Sequence, residues 1–188
     1  MDSKIAVLLV DDHAMVRAGI RRFLEKANDI AVIAEAGSAS EAQQLLQQHA
    51  PTVAVIDVKL PDMSGIELVR WLRQYYPQLR ALIVTAYDDE PYLRAALRSG
   101  AKGYLLKSAA PADLIDAVRR VAKGRSVVDP SLAPLLVDMI SAEPHPLTDR
   151  ECEVLRLAAR GKTNKEIGQH LSSAIAPFNR TSNVFIKS

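Results

Sequence analysis

The chain has 188 residues, enough for one large or two modest domains, and its 48% hydrophobic and 24% charged content is ordinary for a globular protein. No run approaches the roughly 18 apolar residues of a membrane span, and the opening Met1-Asp-Ser-Lys4 lacks a signal peptide's basic region and cleavage site. The single cysteine, Cys152, cannot form an internal disulfide, which fits a reducing cytoplasm.

Four apolar runs each stop at a polar residue. Ile5-Ala-Val-Leu-Leu-Val10 stops at Asp11 and Asp12, and Thr52-Val-Ala-Val-Ile56 at Asp57. Ala81-Leu-Ile-Val84 stops at Thr85, and Gly103-Tyr-Leu-Leu106 at Lys107. With a shorter run, Ile30-Ala-Val-Ile-Ala-Glu35, they predict strands near 4–10, 30–35, 52–57, 81–85 and 102–106. Helices are expected near 14–27, 39–49, 65–75, 89–99 and 111–123. The first carries Val16, Ile20, Phe23 and Leu24 on one face, and the fifth carries Leu114, Ile115, Val118 and Val121. Pro111 suits a first helical turn, and Gly100 and Gly124 suit helix ends. Five βα units with short loops imply an α/β fold, a doubly wound five-stranded parallel sheet of flavodoxin-like form.

Residues 125–145 are read as a linker. Pro130, Pro134 and Pro144 interrupt the pattern, although 132–140 can form a helix. The tail, 146–188, then opens a small all-α domain. Thr148-Asp-Arg-Glu151 and Thr163-Asn-Lys-Glu166 are capping boxes, and Gly161 between them makes a tight turn, as in a helix-turn-helix. The net charge of +2 is unevenly spread: the tail carries seven basic and four acidic side chains, a weak pointer to a nucleic-acid partner.

In an open α/β sheet, ligands bind at the carboxyl ends of the strands. Asp11, Asp12, Asp57, Thr85 and Lys107 should therefore converge at one edge. Pairing Lys107 with one acid explains any single member, but not all five in this order. Grouped carboxylates repel, and hard oxygen donors set this way suit Mg²⁺. Metal, ammonium and hydroxyl together would neutralise a phosphoryl group, with Asp57 as the nucleophile forming an aspartyl phosphate.

Leu9-Val-Asp-Asp-His13, Val55-Ile-Asp-Val-Lys-Leu-Pro-Asp-Met-Ser-Gly65, Val84-Thr-Ala86 and Gly100-Ala-Lys-Gly-Tyr-Leu-Leu-Lys107 resemble the receiver domain of bacterial two-component response regulators over residues 1–124. Leu147-Thr-Asp-Arg-Glu-Cys-Glu-Val-Leu155 with Thr163-Asn-Lys-Glu-Ile167 resembles the LuxR-type DNA-binding domain. Together they resemble the NarL/FixJ subfamily. The resemblance implies that Asp57 takes phosphate from a sensor histidine kinase. It implies Mg²⁺ bound by Asp12 and Asp57, by the Lys59 carbonyl, and by Asp11 through water. It implies phosphate contacts from Lys107 and Thr85, and Tyr104 as a switch aromatic that turns inward as Thr85 moves. Homodimers on phosphorylation and promoter DNA are the implied partners, with no membrane. Lys59 and Tyr87, each two residues beyond a site residue, are expected to tune the phosphoryl lifetime, Tyr87 by shielding it from water. Ser108 follows the site lysine where many receivers have proline, so no cis bond is expected there.

After Leu171 the tail departs from the family. Residues 172–181 fit poorly, and Pro177 falls where the recognition helix should read DNA, removing a donor at a cost of about 3 kcal/mol. Natural divergence and two compensating reading-frame changes both leave such a pattern. Lys165, Asn179 and Arg180 are the DNA-contact candidates, and poor operator binding is expected. The competing function is a phospho-receiver that acts by protein–protein contact with a non-functional tail. A phosphatase of haloacid-dehalogenase type is disfavoured, because Lys59 stands where its second aspartate belongs.

Overall fold

The computed structural model describes residues 4–141, together with Leu157 and Glu166, both helical. The chain divides into two compact units, Met1–Ser141 and Ala142–Ser188. The helix-turn-helix expectation, Cys152, Pro177, the 172–181 departure, and Lys165, Asn179 and Arg180 lie outside the described residues.

Elements alternate along the first unit: β1 (Ile5–Val10), α1 (Ala14–Leu24), β2 (Ile30–Ala36), α2 (Ala39–Leu45), β3 (Val53–Ile56), α3 (Gly65–Tyr75), β4 (Arg80–Thr85), α4 (Glu90–Ser99), β5 (Gly103–Leu106) and α5 (Pro111–Ala122). They are followed by β6 (Val127–Val128), a 3₁₀ turn (Pro130–Leu132) and α6 (Ala133–Ser141). The sheet is wholly parallel, in the order β2-β1-β3-β4-β5-β6.

The expected sheet had five strands; the structure has six. β6 is two residues long, too short for any hydrophobic period to reveal. It forms because Val127 N–H donates to Lys102 O and Asp129 N–H donates to Tyr104 O, extending the ladder past β5. Residues 125–141, read from sequence as linker, thus include β6 and α6, and Leu132, Leu135, Leu136 and Met139 join the core.

Successive strand residues point to opposite faces, and both faces are covered. Leu8, Val10, Ala54, Ile56, Ile83 and Tyr104 pack under α2, α3 and α4. Val7, Leu9, Val53, Val55, Leu82, Val84 and Leu105 pack under α1 and α5. Burial on both sides is why these runs are continuously apolar rather than alternating.

α1 and α2 stop earlier than expected, at Leu24 and Leu45. Beyond each, the chain tightens into i→i−3 turns, with Ala27 N–H donating to Leu24 O and Gln48 N–H to Leu45 O. α3 opens on a capping box, Ser64 with Glu67. Gly100 closes α4 at φ 106°, a left-handed conformation that favours glycine. Among the described residues no helix is long and apolar enough to cross a membrane.

Candidate functional site

The carboxyl ends of β1, β3, β4 and β5 bring Asp11, Asp57, Thr85 and Lys107 together. Asp11 and Asp57 are both buried there. Lys107 Nζ lies 2.7 Å from Oδ2 of each. Its contact with Asp57 is a hydrogen bond. Its contact with Asp11 is an ion pair at the same distance. Burial works against the Lys107 charge, but the two carboxylates outweigh it and raise its pKa above the ordinary lysine value.

Backbone contacts orient these groups. Val58 N–H donates to Asp57 Oδ1 at 2.7 Å, and His13 N–H donates to Asp11 Oδ1 at 2.8 Å. Asp12 is more exposed and pairs with His13 Nδ1 at 2.6 Å. Ligand atoms of Asp11, Asp12, His13 and Asp57 all lie within 4.8 Å of one another. The donor set therefore fits a hard divalent cation: its carboxylate oxygens converge, and a single ammonium offsets only part of their charge.

Thr85 is fully buried, and its Oγ1 has no hydrogen-bond partner. An unpaired buried hydroxyl costs free energy, so this side chain stands ready for an acceptor placed at the sheet edge. Lys107 N–H donates to Thr85 O at 2.7 Å, which ties the ends of β4 and β5 together.

Tyr104, expected as an inward-turning aromatic, is fully buried, and its hydroxyl donates to Tyr87 O at 2.7 Å. Burial, then the charges of Asp89, Asp57 and Asp88, push its pKa far above the ordinary phenol value. Lys59 Nζ sits 4.8 Å from the Tyr87 ring centroid, and the Tyr87 and Tyr92 rings are 4.7 Å apart. Tyr87 is the main influence raising the Lys59 pKa, with Tyr92 and Asp57 adding to it. The Lys107–Ser108 bond is trans, as is every peptide bond among the described residues.

Two contributors lie inside the Val55–Gly65 motif but had no assigned role of their own in the sequence reading. A Cβ on Gly65 would lie 1.9 Å from the Asp57 carbonyl oxygen, so only glycine lets α3 start against the β3 end. Asp62 accepts hydrogen bonds from Ala39 N, Ser40 N and Ser40 Oγ, capping α2 from the β3–α3 loop. The Ser40 hydroxyl, with these amides, holds its carboxyl far below the usual range. The Asp62 cap is not a local signal: Asp62 and Ser40 are 22 residues apart.

Residues 7–119 match the response regulator receiver domain. The chain belongs to the response regulator family. In this response regulator, residues 145–176 match the bacterial regulatory proteins of the luxR family, and that match ends one residue before Pro177. The transcriptional activator protein ExaE of Pseudomonas putida is 39% identical over 178 residues, covering 89% of this chain and 81% of its own. The transcriptional regulatory protein LiaR of Bacillus subtilis is 38% identical over 173 residues, covering 89% and 82%. Among solved structures, a LuxR-family two-component response regulator from Aurantimonas sp. SI85-9A1 superposes with TM-score 0.70 at 36% identity, covering 74% of this chain and 100% of that one. The response regulator RcsB in complex with DNA superposes with TM-score 0.74 at 29% identity, covering 90% and 84%. The response regulator is a receiver joined to a LuxR-type domain, a transcription regulator and not an enzyme.

Proposed function

We propose that Asp57 is the phospho-acceptor, taking a phosphoryl group from a phosphohistidine of a sensor histidine kinase. A carboxylate oxygen of Asp57 attacks phosphorus, the P–N bond breaks, and the imidazole leaves with the electron pair and takes up a proton. Water later cleaves the acyl phosphate, returning the carboxylate and inorganic phosphate. The observation that carries this reading is the Lys107 ammonium held 2.7 Å from both Asp11 and Asp57, beside the unpaired Thr85 hydroxyl. Lys107 and Thr85 are assigned to the transferred oxygens, where a fixed positive charge and a donor stabilise developing negative charge.

Asp11, Asp12, Asp57 and the Lys59 carbonyl would hold Mg²⁺. When bound, the ion supplies charge neutralisation for the phosphoryl oxygens. Thr85 and Tyr104 are the switch pair: with Thr85 drawn to the phosphoryl group, the inward state of Tyr104 is favoured, a shift between pre-existing conformations. Phosphorylation thereby controls assembly and promoter binding by the tail, in the cytoplasm. RcsB, solved with DNA, supports the DNA-binding output by likeness.

The test is intact-mass and sizing measurement of the full chain with Mg²⁺ and acetyl phosphate. Wild type should gain one phosphoryl group and a larger assembly, and Asp57→Ala neither. Equal phosphoryl gain by the variant would overturn the assignment.

A second reading is favoured by one finding, the end of the luxR-family match immediately before Pro177. In that reading the receiver works by protein contact and the tail does not read DNA; Lys165, Asn179 and Arg180 are then idle. A gel shift with promoter DNA, with and without phosphorylation, separates the two. Salt-sensitive, sequence-specific binding at nanomolar protein eliminates the second reading.

A further inference from the structure

The end of β5 is held from both sides. On one side Lys107 N–H donates to Thr85 O. On the other, Lys102 O accepts from Val127 N–H of β6 and Tyr104 O from Asp129 N–H just beyond it, and the next outward-facing group is Leu106 N–H. The β6 backbone has already turned away there, because Pro130 leads into the 3₁₀ turn. The Asp129 side chain supplies the missing acceptor: its Oδ2 takes Leu106 N–H at 3.1 Å. Its Oδ1 takes Ser131 N–H at 3.0 Å and the Ser131 hydroxyl at 2.6 Å. This buried carboxylate has no cation partner among the described residues. A buried charge is tolerated when its oxygens are hydrogen-bonded. Burial raises its pKa, but Ser131 and Leu106 together outweigh that and keep the carboxyl below its ordinary value.

Capping the turn needs only one oxygen. The second reaches back 23 residues to the N–H of Leu106, the residue immediately before Lys107. We propose that Asp129 is a positioning residue for Lys107, and that the same carboxylate ties the phosphoryl site to the turn that opens α6. The inference rests on the role given above to Lys107. With Leu106 N–H held, the β5 end keeps one path, and the ammonium reaches Asp11 and Asp57. A displacement of Lys107 toward a phosphoryl group pulls on the Leu106 peptide, and Asp129 passes that pull to Ser131 and α6. By linkage, a change at α6 acts back on the site with equal coupling free energy.

The test compares Asp129→Ala, Asp129→Asn and Ser131→Ala in the full chain. Ser131→Ala removes a cap donor and leaves the Leu106 contact, so it controls for loss of the turn alone. The first readout is the NMR signal of the Lys107 ammonium without any phosphodonor. It should shift in Asp129→Ala and stay in place in Ser131→Ala. The second readout is the phosphorylation rate with saturating acetyl phosphate. Loss of one positioning hydrogen bond predicts a rate about two- to tenfold lower in Asp129→Ala, wild-type behaviour in Ser131→Ala, and an intermediate rate in Asp129→Asn, which keeps one acceptor oxygen and the side-chain volume. An unmoved Lys107 signal in both Asp129 variants overturns the proposal, as does an equal effect in Ser131→Ala. A shifted signal with no phosphorylation of wild type supports the positioning role and overturns the phospho-acceptor reading instead.

Discussion

Lys107 Nζ stands 2.7 Å from Oδ2 of Asp57, a residue fifty positions earlier in the chain. The same ammonium pairs with Asp11, so one cation is shared by two buried carboxylates and a net negative charge remains. Lys107→Ala leaves those charges facing each other. Breaking a buried pair costs about 3–5 kcal/mol; the partly exposed Lys107 should cost less, about 1–3 kcal/mol at pH 7. Mg²⁺ should restore more stability to the variant than to wild type, because it replaces the lost positive charge. Thermal melts with and without millimolar Mg²⁺ measure this, and equal shifts in both proteins contradict it.

Tyr104→Phe tests the buried phenol. At pH 7 the variant loses the hydrogen bond to Tyr87 O and should be about 1 kcal/mol less stable. The folded state raises the Tyr104 pKa, so the folded form holds its proton more tightly than the unfolded one. That contribution is complete below the unfolded phenol value of about 10 and is lost as pH rises above it. Urea unfolding from pH 7 to pH 11 should therefore show a steeper alkaline loss in wild type than in Tyr104→Phe.

Gly65→Ala gives opposite signs for helix propensity and packing. Alanine is the better helix former by about 1 kcal/mol, yet its Cβ would sit 1.9 Å from the Asp57 carbonyl oxygen, a backbone atom. We expect packing to win, with a net loss of about 1–3 kcal/mol and slower phosphorylation as Asp57 is displaced. A variant as stable and as reactive as wild type shows that the β3 end yields without cost.

Tyr87→Ala addresses the phosphoryl lifetime. The substitution keeps the backbone carbonyl that holds Tyr104, and removes the ring that contacts Lys59 and Tyr92. If that ring screens the acyl phosphate from water, the half-life of the phosphorylated protein shortens. The measurement is release of labelled phosphate after donor removal; an unchanged half-life removes Tyr87 from the tuning role.

The sequence by itself determined the order of the first ten elements, β1 to α5, and which polar residues end four of the strands. Both follow from local physics: a strand buried on two faces must be a short apolar run, and the first polar residue marks where it meets solvent. Asp11, Asp57, Thr85 and Lys107 were legible for that reason, and parallel topology then required them to share an edge. Tertiary structure alone decided how they meet. The Lys107 bridge, the Gly65 contact with Asp57, the Asp62 cap on α2 and the Asp129 clasp on Leu106 each join residues on different elements, and no hydrophobic period records them. β6 belongs with these, since two residues become a strand only when a neighbouring strand offers its free edge.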